Sequence, residues 1–85
     1  MREIQVASKA VKFLRGLPED YKNAIKERLK ELETNLLPRG AIQLKGQEKC
    51  YRLRVGPFRI QYHHMEKEDV VLIYKISRRD ETMYE

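Results

Sequence analysis

The sequence holds a single cysteine, Cys50, so no disulfide can form within the chain. Glycine and proline are sparse, four and three residues among 85. The glycines fall at turn signals, and no glycine-rich run suited to cradling a phosphate is present. Cys/His spacing of the kind that holds a metal is also lacking, so neither metal nor cofactor is expected. The longest strongly apolar run, residues 70–74, falls far short of the roughly 20 residues a membrane-spanning helix needs. Residues 1–5 have no apolar signal core, and a reducing cytoplasm is the expected compartment. Repeats, low-complexity stretches and linkers are missing too. One domain over residues 1–85 is expected, small enough to bury only roughly 60–65% of its unfolded surface.

What the sequence does have is charge, and of one sign in excess. Hydrophobic residues make up 41% and charged residues 36%, too apolar a mix for a disordered tail. Lysine and arginine number 18 against 13 acidic residues, a formal net charge of +5. On a small domain this favours a polyanionic partner, RNA or DNA. Heavily charged surfaces also occur in thermophile proteins, so placement matters more than the sum.

Residues 2–6 alternate as a short strand, with Ile4 and Val6 on one side. Ser8 is positioned to cap a helix that carries Ala10, Phe13, Leu14 and Leu17 at helical spacing. Gly16 and Pro18 break it. Pro18, Glu19 and Asp20 suit the first turn of a second helix, whose stripe runs Tyr21, Ala24, Ile25, Leu29, Leu32 and Leu36. Residues 37–40 form a loop, and residues 41–45 add a brief strand. The period then changes to two. Tyr51, Leu53 and Val55 share one face of a strand, and Arg52 and Arg54 the other. After a Gly56-Pro57 turn, Phe58, Ile60 and Tyr62 face one way and Arg59, Gln61 and His63 the other. A polar turn at 66–69 leads to residues 70–76, apolar on nearly all sides and so a central strand. The sum is an α+β fold of four or five strands, mainly antiparallel, with two N-terminal helices packed on one face. Arg52, Arg54 and Arg59 line the opposite face.

The segments Leu44-Lys45-Gly46 and Tyr51-Arg52-Leu53-Arg54-Val55-Gly56-Pro57-Phe58-Arg59-Ile60-Gln61-Tyr62 resemble the RelE/ParE toxin superfamily, with Phe58 where tyrosine is usual. The opening Lys9-Ala10-Val11-Lys12-Phe13-Leu14, the Leu17-Pro18 turn, the Arg78-Arg79 pair and Tyr84 extend the resemblance over nearly the whole chain. It implies two helices over a four-stranded antiparallel sheet. It also implies a type II toxin held by a cognate antitoxin in a hetero-oligomer, with no membrane partner. RelE-like members cut messenger RNA in the ribosomal A site without metal. ParE-like members poison DNA gyrase instead, and a catalytically weak RNA- or ribosome-binding homologue is a further alternative.

By that resemblance Arg59 clamps the scissile phosphate, Arg54 assists it, and Arg52 and Lys45 bind substrate. Arg78 or Arg79 supplies a cation to the leaving group, and Tyr84 stacks on a nucleotide. Some members carry a lysine assigned as general base at the position of Arg52. Arginine, with a pKa above about 12, cannot take that role, so the base is unidentified. His63 shares the polar face with Arg59, but four residues along a strand is roughly 13 Å. His64 faces the other way, and Glu48 would serve only if its loop folded over the sheet. Cys50 shares a face with Arg52 and Arg54. Cations there could activate its thiol, but the simpler reading is a small residue that fits its site.

Overall fold

Residues 1–78 are described by the computed structural model; Arg79 and Tyr84 lie outside them. The elements follow in the order β1 (Glu3–Val6), α1 (Ser8–Arg15), α2 (Glu19–Glu31), β2 (Ala41–Gln43), β3 (Cys50–Val55), β4 (Phe58–Met65) and β5 (Val70–Arg78). Among the described residues no helix is long and apolar enough to cross a membrane.

Strict alternation makes β3 and β4, and the tight turn between them uses the positive φ of Gly56, +55°. They pair antiparallel, with Leu53 opposite Ile60 and Tyr51 opposite Tyr62. One face of this hairpin is apolar from Tyr51 to Val55 and from Phe58 to Tyr62 and meets the helices. Ala10, Ile25, Leu29 and Leu32 from the helical side are buried against Leu53, Phe58, Ile60, Tyr62, Val71 and Ile73. Phe58 takes edge-on contacts from Phe13 at 5.9 Å and Tyr21 at 5.0 Å between ring centroids. Tyr51 stacks on Tyr62 at 5.3 Å, so both tyrosines expected in the core are there.

Two helix boundaries differ from the sequence reading. Ser8 is the first helical residue, not the cap, and no side chain caps α1. The chain is fixed there by the sheet: the Ala7 N–H donates to the Ile73 carbonyl at 2.9 Å. α2 ends at Glu31 rather than running on to Leu36. The Asn35 side-chain oxygen accepts the Leu37 N–H at 3.0 Å, a local bond that competes with helix. Leu36 still packs on the core, and its carbonyl accepts the buried Tyr62 hydroxyl at 2.7 Å.

The sheet has five strands in the order β1-β5-β4-β3-β2, which corrects the expected count of four; it is mainly antiparallel as expected, in three of its four pairings, but the fourth is parallel, so the sheet is mixed. β1 and β2 are the two edges. β1 runs parallel to β5, with Ile4 beside Val71 and Val6 beside Ile73. Four residues cannot declare a partner some 67 positions away, so neither the pairing nor its direction was readable. β5 also carries a bulge against β4. Gln61 pairs with Lys75 but Tyr62 with Ile73, leaving Tyr74 as the extra residue. The slip in parity explains the unbroken apolar run. Val71 and Ile73 face the helices before it and Ile76 after it, while Lys75 and Ser77 fall to the other face.

Candidate nucleic-acid interface

The face of the sheet away from the helices is built in cross-strand rows. Arg54 of β3, Arg59 of β4 and Ser77 of β5 form one row. Ile42 of β2, Arg52 of β3, Gln61 of β4 and Lys75 of β5 form the next. Cys50 and His63 form a third. Rows two residues apart are about 6.6 Å apart along the strands. Four cations thus stand on two adjacent rows.

Arg54 is exposed and Arg59 half-buried. They sit directly opposite one another, and among the described residues neither guanidinium has an ion-pair or side-chain hydrogen-bond partner. Like charges directly opposite across a strand pair are destabilising. The Ser77 hydroxyl beside them is buried and, among the described residues, also lacks a hydrogen-bond partner. Beside Arg52 and Arg54 lies a cavity of about 300 Å³, lined by those two arginines with Gly40, Ala41 and Ile42.

The other candidates are placed elsewhere. Lys45 is exposed in the turn between β2 and β3, at the far end of that hairpin from Arg54 and Arg59. Arg78 pairs in register with Phe58, so it belongs to the helix side of the sheet; its guanidinium carbon lies 5.3 Å from the Phe58 ring centroid. Of Arg52, Arg54, Arg59, Lys45 and Arg78, only the first three share the open face near one another.

His63 stands opposite Cys50, its Nδ1 3.4 Å from Sγ, two rows away from Arg59. Tyr74 belongs to the same corner. Burial raises its phenol above the usual range, with a smaller contribution from Cys50. His64 turns to the opposite face, where Nε2 lies 3.1 Å from Asp69 Oδ1. That hydrogen bond, with smaller help from Arg2, holds the Asp69 carboxyl below its ordinary value. Glu48 is exposed in its loop, and the neighbouring Lys49 is paired with Glu66 at 3.1 Å.

Three residues beside the arginines on the open face were not singled out from sequence: Ile42, Lys75 and Ser77. The bulge hides the last two, since strict alternation from Val71 and Ile73 would place Lys75 and Ser77 on the core side. Ile42 lies in a strand too short to show a period.

The model of the ParE toxin family of type II toxin–antitoxin systems matches residues 4–83. A Methanocaldococcus jannaschii protein assigned as toxin RelE1 is 34% identical over 80 residues, covering 91% of this chain and 89% of that protein. The fold is similar to the archaeal RelE–RelB complex from Pyrococcus horikoshii, with a TM-score of 0.82, 29% identity and coverage of 92% of this chain and 94% of that one. The isolated RelE toxin of E. coli shares the fold at a TM-score of 0.81 and 19% identity, over 92% of this chain and 84% of that one.

Proposed function

The chain belongs to the RelE/ParE family of toxins from type II toxin–antitoxin systems, and from that premise we propose that its open sheet face cleaves messenger RNA in the ribosomal A site. The observation that carries this reading is the Arg54–Arg59 pair. Two guanidinium groups opposite one another, without a carboxylate among the described residues to balance them, cost the free fold stability that a phosphate between them returns.

The reaction is attack of the RNA's own 2′-oxygen on the adjacent phosphorus. A P–O2′ bond forms and the P–O5′ bond breaks; the 2′-hydroxyl loses its proton to solvent and the 5′-oxygen takes one up, so the step is a transesterification with no net change in protons. The products are a 2′,3′-cyclic phosphate and a 5′-hydroxyl. Arg59 and Arg54 hold the non-bridging oxygens and balance the charge that grows on them. Arg52, one row away, binds the neighbouring backbone. Arg78 is engaged with Phe58, so Arg79 is the better candidate for the cation that meets the leaving oxygen, and Tyr84 the candidate for stacking on a base. Among the described residues no side chain near the arginine pair has the chemistry of a general base at neutral pH. The 2′-oxygen must then be brought into line by positioning, which the ribosome supplies. Cytoplasmic action follows from that substrate.

A cognate antitoxin is the partner expected for such a toxin, in a toxin–antitoxin hetero-oligomer. The P. horikoshii neighbour was solved as a RelE–RelB complex, which supports this. The matching family model is named for ParE toxins, which keeps a second reading in view: a gyrase poison that leaves RNA intact.

Primer extension on a message in a purified translation system decides between them. New 5′ ends inside A-site codons, seen only with ribosomes, are the expected result. Intact message together with arrested growth would favour the gyrase target.

A further inference from the structure

Ile42 has no evident place in the packing of the domain. Its neighbour Ala41 turns inward and packs on the core, while Ile42 pairs in register with Arg52 and therefore stands on the open face. It is 48% exposed, a large aliphatic side chain among cations. Beside it is the cavity of about 300 Å³, with Arg52 and Arg54 on the β3 side and Gly40, Ala41 and Ile42 on the β2 side.

The backbone holds this cavity in shape. The Gly40 carbonyl accepts the Arg54 N–H at 3.1 Å, and Gly40 has a φ of +91°, where a side chain would be strained. The loop before it is tied to α2, since the Arg28 guanidinium donates to the Arg39 carbonyl. The edge strand is thus pinned against the residue that carries one half of the arginine pair.

We propose that this cavity is a nucleobase subsite, which takes the base of a nucleotide flanking the phosphate held by Arg54 and Arg59, with Ile42 as its apolar floor. The proposal rests on the RNA-cleavage reading above. A phosphate between Arg54 and Arg59 brings its attached nucleosides within about one row of the sheet, and Ile42 stands on that next row. A base offers an apolar ring face and a polar edge. The cavity offers an aliphatic surface and two planar cations that can stack or donate. The cations fit the polyanionic strand that delivers such a base better than an uncharged peptide.

The test uses ribosomes programmed with a defined message, comparing the unaltered protein with Ile42→Ala and Ile42→Val. Ile42→Ala should raise the toxin concentration for half-maximal cleavage about tenfold, the equivalent of roughly half a buried isoleucine side chain. The rate at saturation should change little, and Ile42→Val should recover most of the loss. On messages with one abasic nucleotide next to the cut, tested on either side in turn, one placement should erase the difference between the unaltered protein and Ile42→Ala. Cleavage that is indifferent to Ile42→Ala would overturn the subsite while leaving the nuclease reading intact. So would a tenfold loss that persists with both abasic messages. Weakened antitoxin binding with unchanged cleavage would overturn it in favour of a protein-facing role. No cleavage by the unaltered protein would remove the nuclease reading and the subsite with it.

Discussion

Arg59→Ala should lower activity and leave the fold unharmed or slightly more stable, two effects of opposite sign from one substitution. Arg59 faces Arg54 directly across β3 and β4, and among the described residues neither has a balancing carboxylate. Removing one guanidinium relieves a like-charge cross-strand pair, worth about 0.5 kcal/mol at a partly exposed site. For a domain of this size that raises the midpoint of thermal unfolding by roughly 2–4 °C. On the proposed mechanism the same change removes a preorganised donor to the phosphate where charge develops. Loss of such a donor costs about 10²–10³ in rate, or roughly 2.7–4 kcal/mol. Single-turnover cleavage on programmed ribosomes measures the second effect, and thermal melts followed by circular dichroism measure the first. Arg59→Lys should fall between, since it keeps the charge but loses the planar fork. A midpoint that drops by several degrees as activity is lost would refute the reasoning and make Arg59 a structural residue. Full activity in Arg59→Ala would refute it from the other side.

The remaining predictions concern residues on the helix side. Tyr62→Phe loses the hydroxyl donated to the Leu36 carbonyl and leaves that acceptor unpaired, so urea unfolding should show a loss of about 1–2 kcal/mol. Burial raises the Tyr62 phenol well above its ordinary value of 10.0, so its contribution to stability is present below that pH and lost as pH rises beyond it. Unfolding free energy measured at alkaline pH should therefore fall less steeply in Tyr62→Phe. Asp69 is held below its ordinary 3.8 by His64 and Arg2, so its contribution is present above that pH and fades as acid titrates it. An acid-unfolding series with Asp69→Asn should lose that part of the acid dependence. Arg78→Ala removes the guanidinium over Phe58 and should cost about 0.5–1 kcal/mol while most cleavage is retained; complete loss of cleavage would mean that Arg78 meets the substrate.

Much of the fold was legible where one strand or helix carried its own pattern. The alternation from Tyr51 to Tyr62 sorted core from open face correctly, because a hairpin with a tight turn leaves no freedom of register. The α2 stripe placed Ile25, Leu29 and Leu32 inside, but the helix ends at Glu31, before Leu36, and Arg2 donates to the Leu32 and Glu33 carbonyls just beyond it. What depended on a distant partner stayed hidden. β1 gains its direction only from β5, and the bulge at Tyr74 comes from how β5 lies against β4 rather than from its own residues. The site shows the same division. Arg52, Arg54 and Arg59 could be assigned to one face from parity, whereas Ile42 and Lys75 join it only through pairing.

The parallel contact of β1 with β5 joins the first of the described strands to the last. Arg2 reaches Asp69 across 67 positions, and Glu3 to Val6 lie beside Val70 to Ile73. A chain synthesised from its N-terminus cannot close this sheet until β5 has been translated, and such long-range pairing is intrinsically slow. Incomplete chains cut short before β5 lack Lys75 and Ser77, the shelter that β5 gives to Arg59, and the second neighbour that β4 needs. The open face that carries Arg59 is therefore complete only in a chain that includes β5.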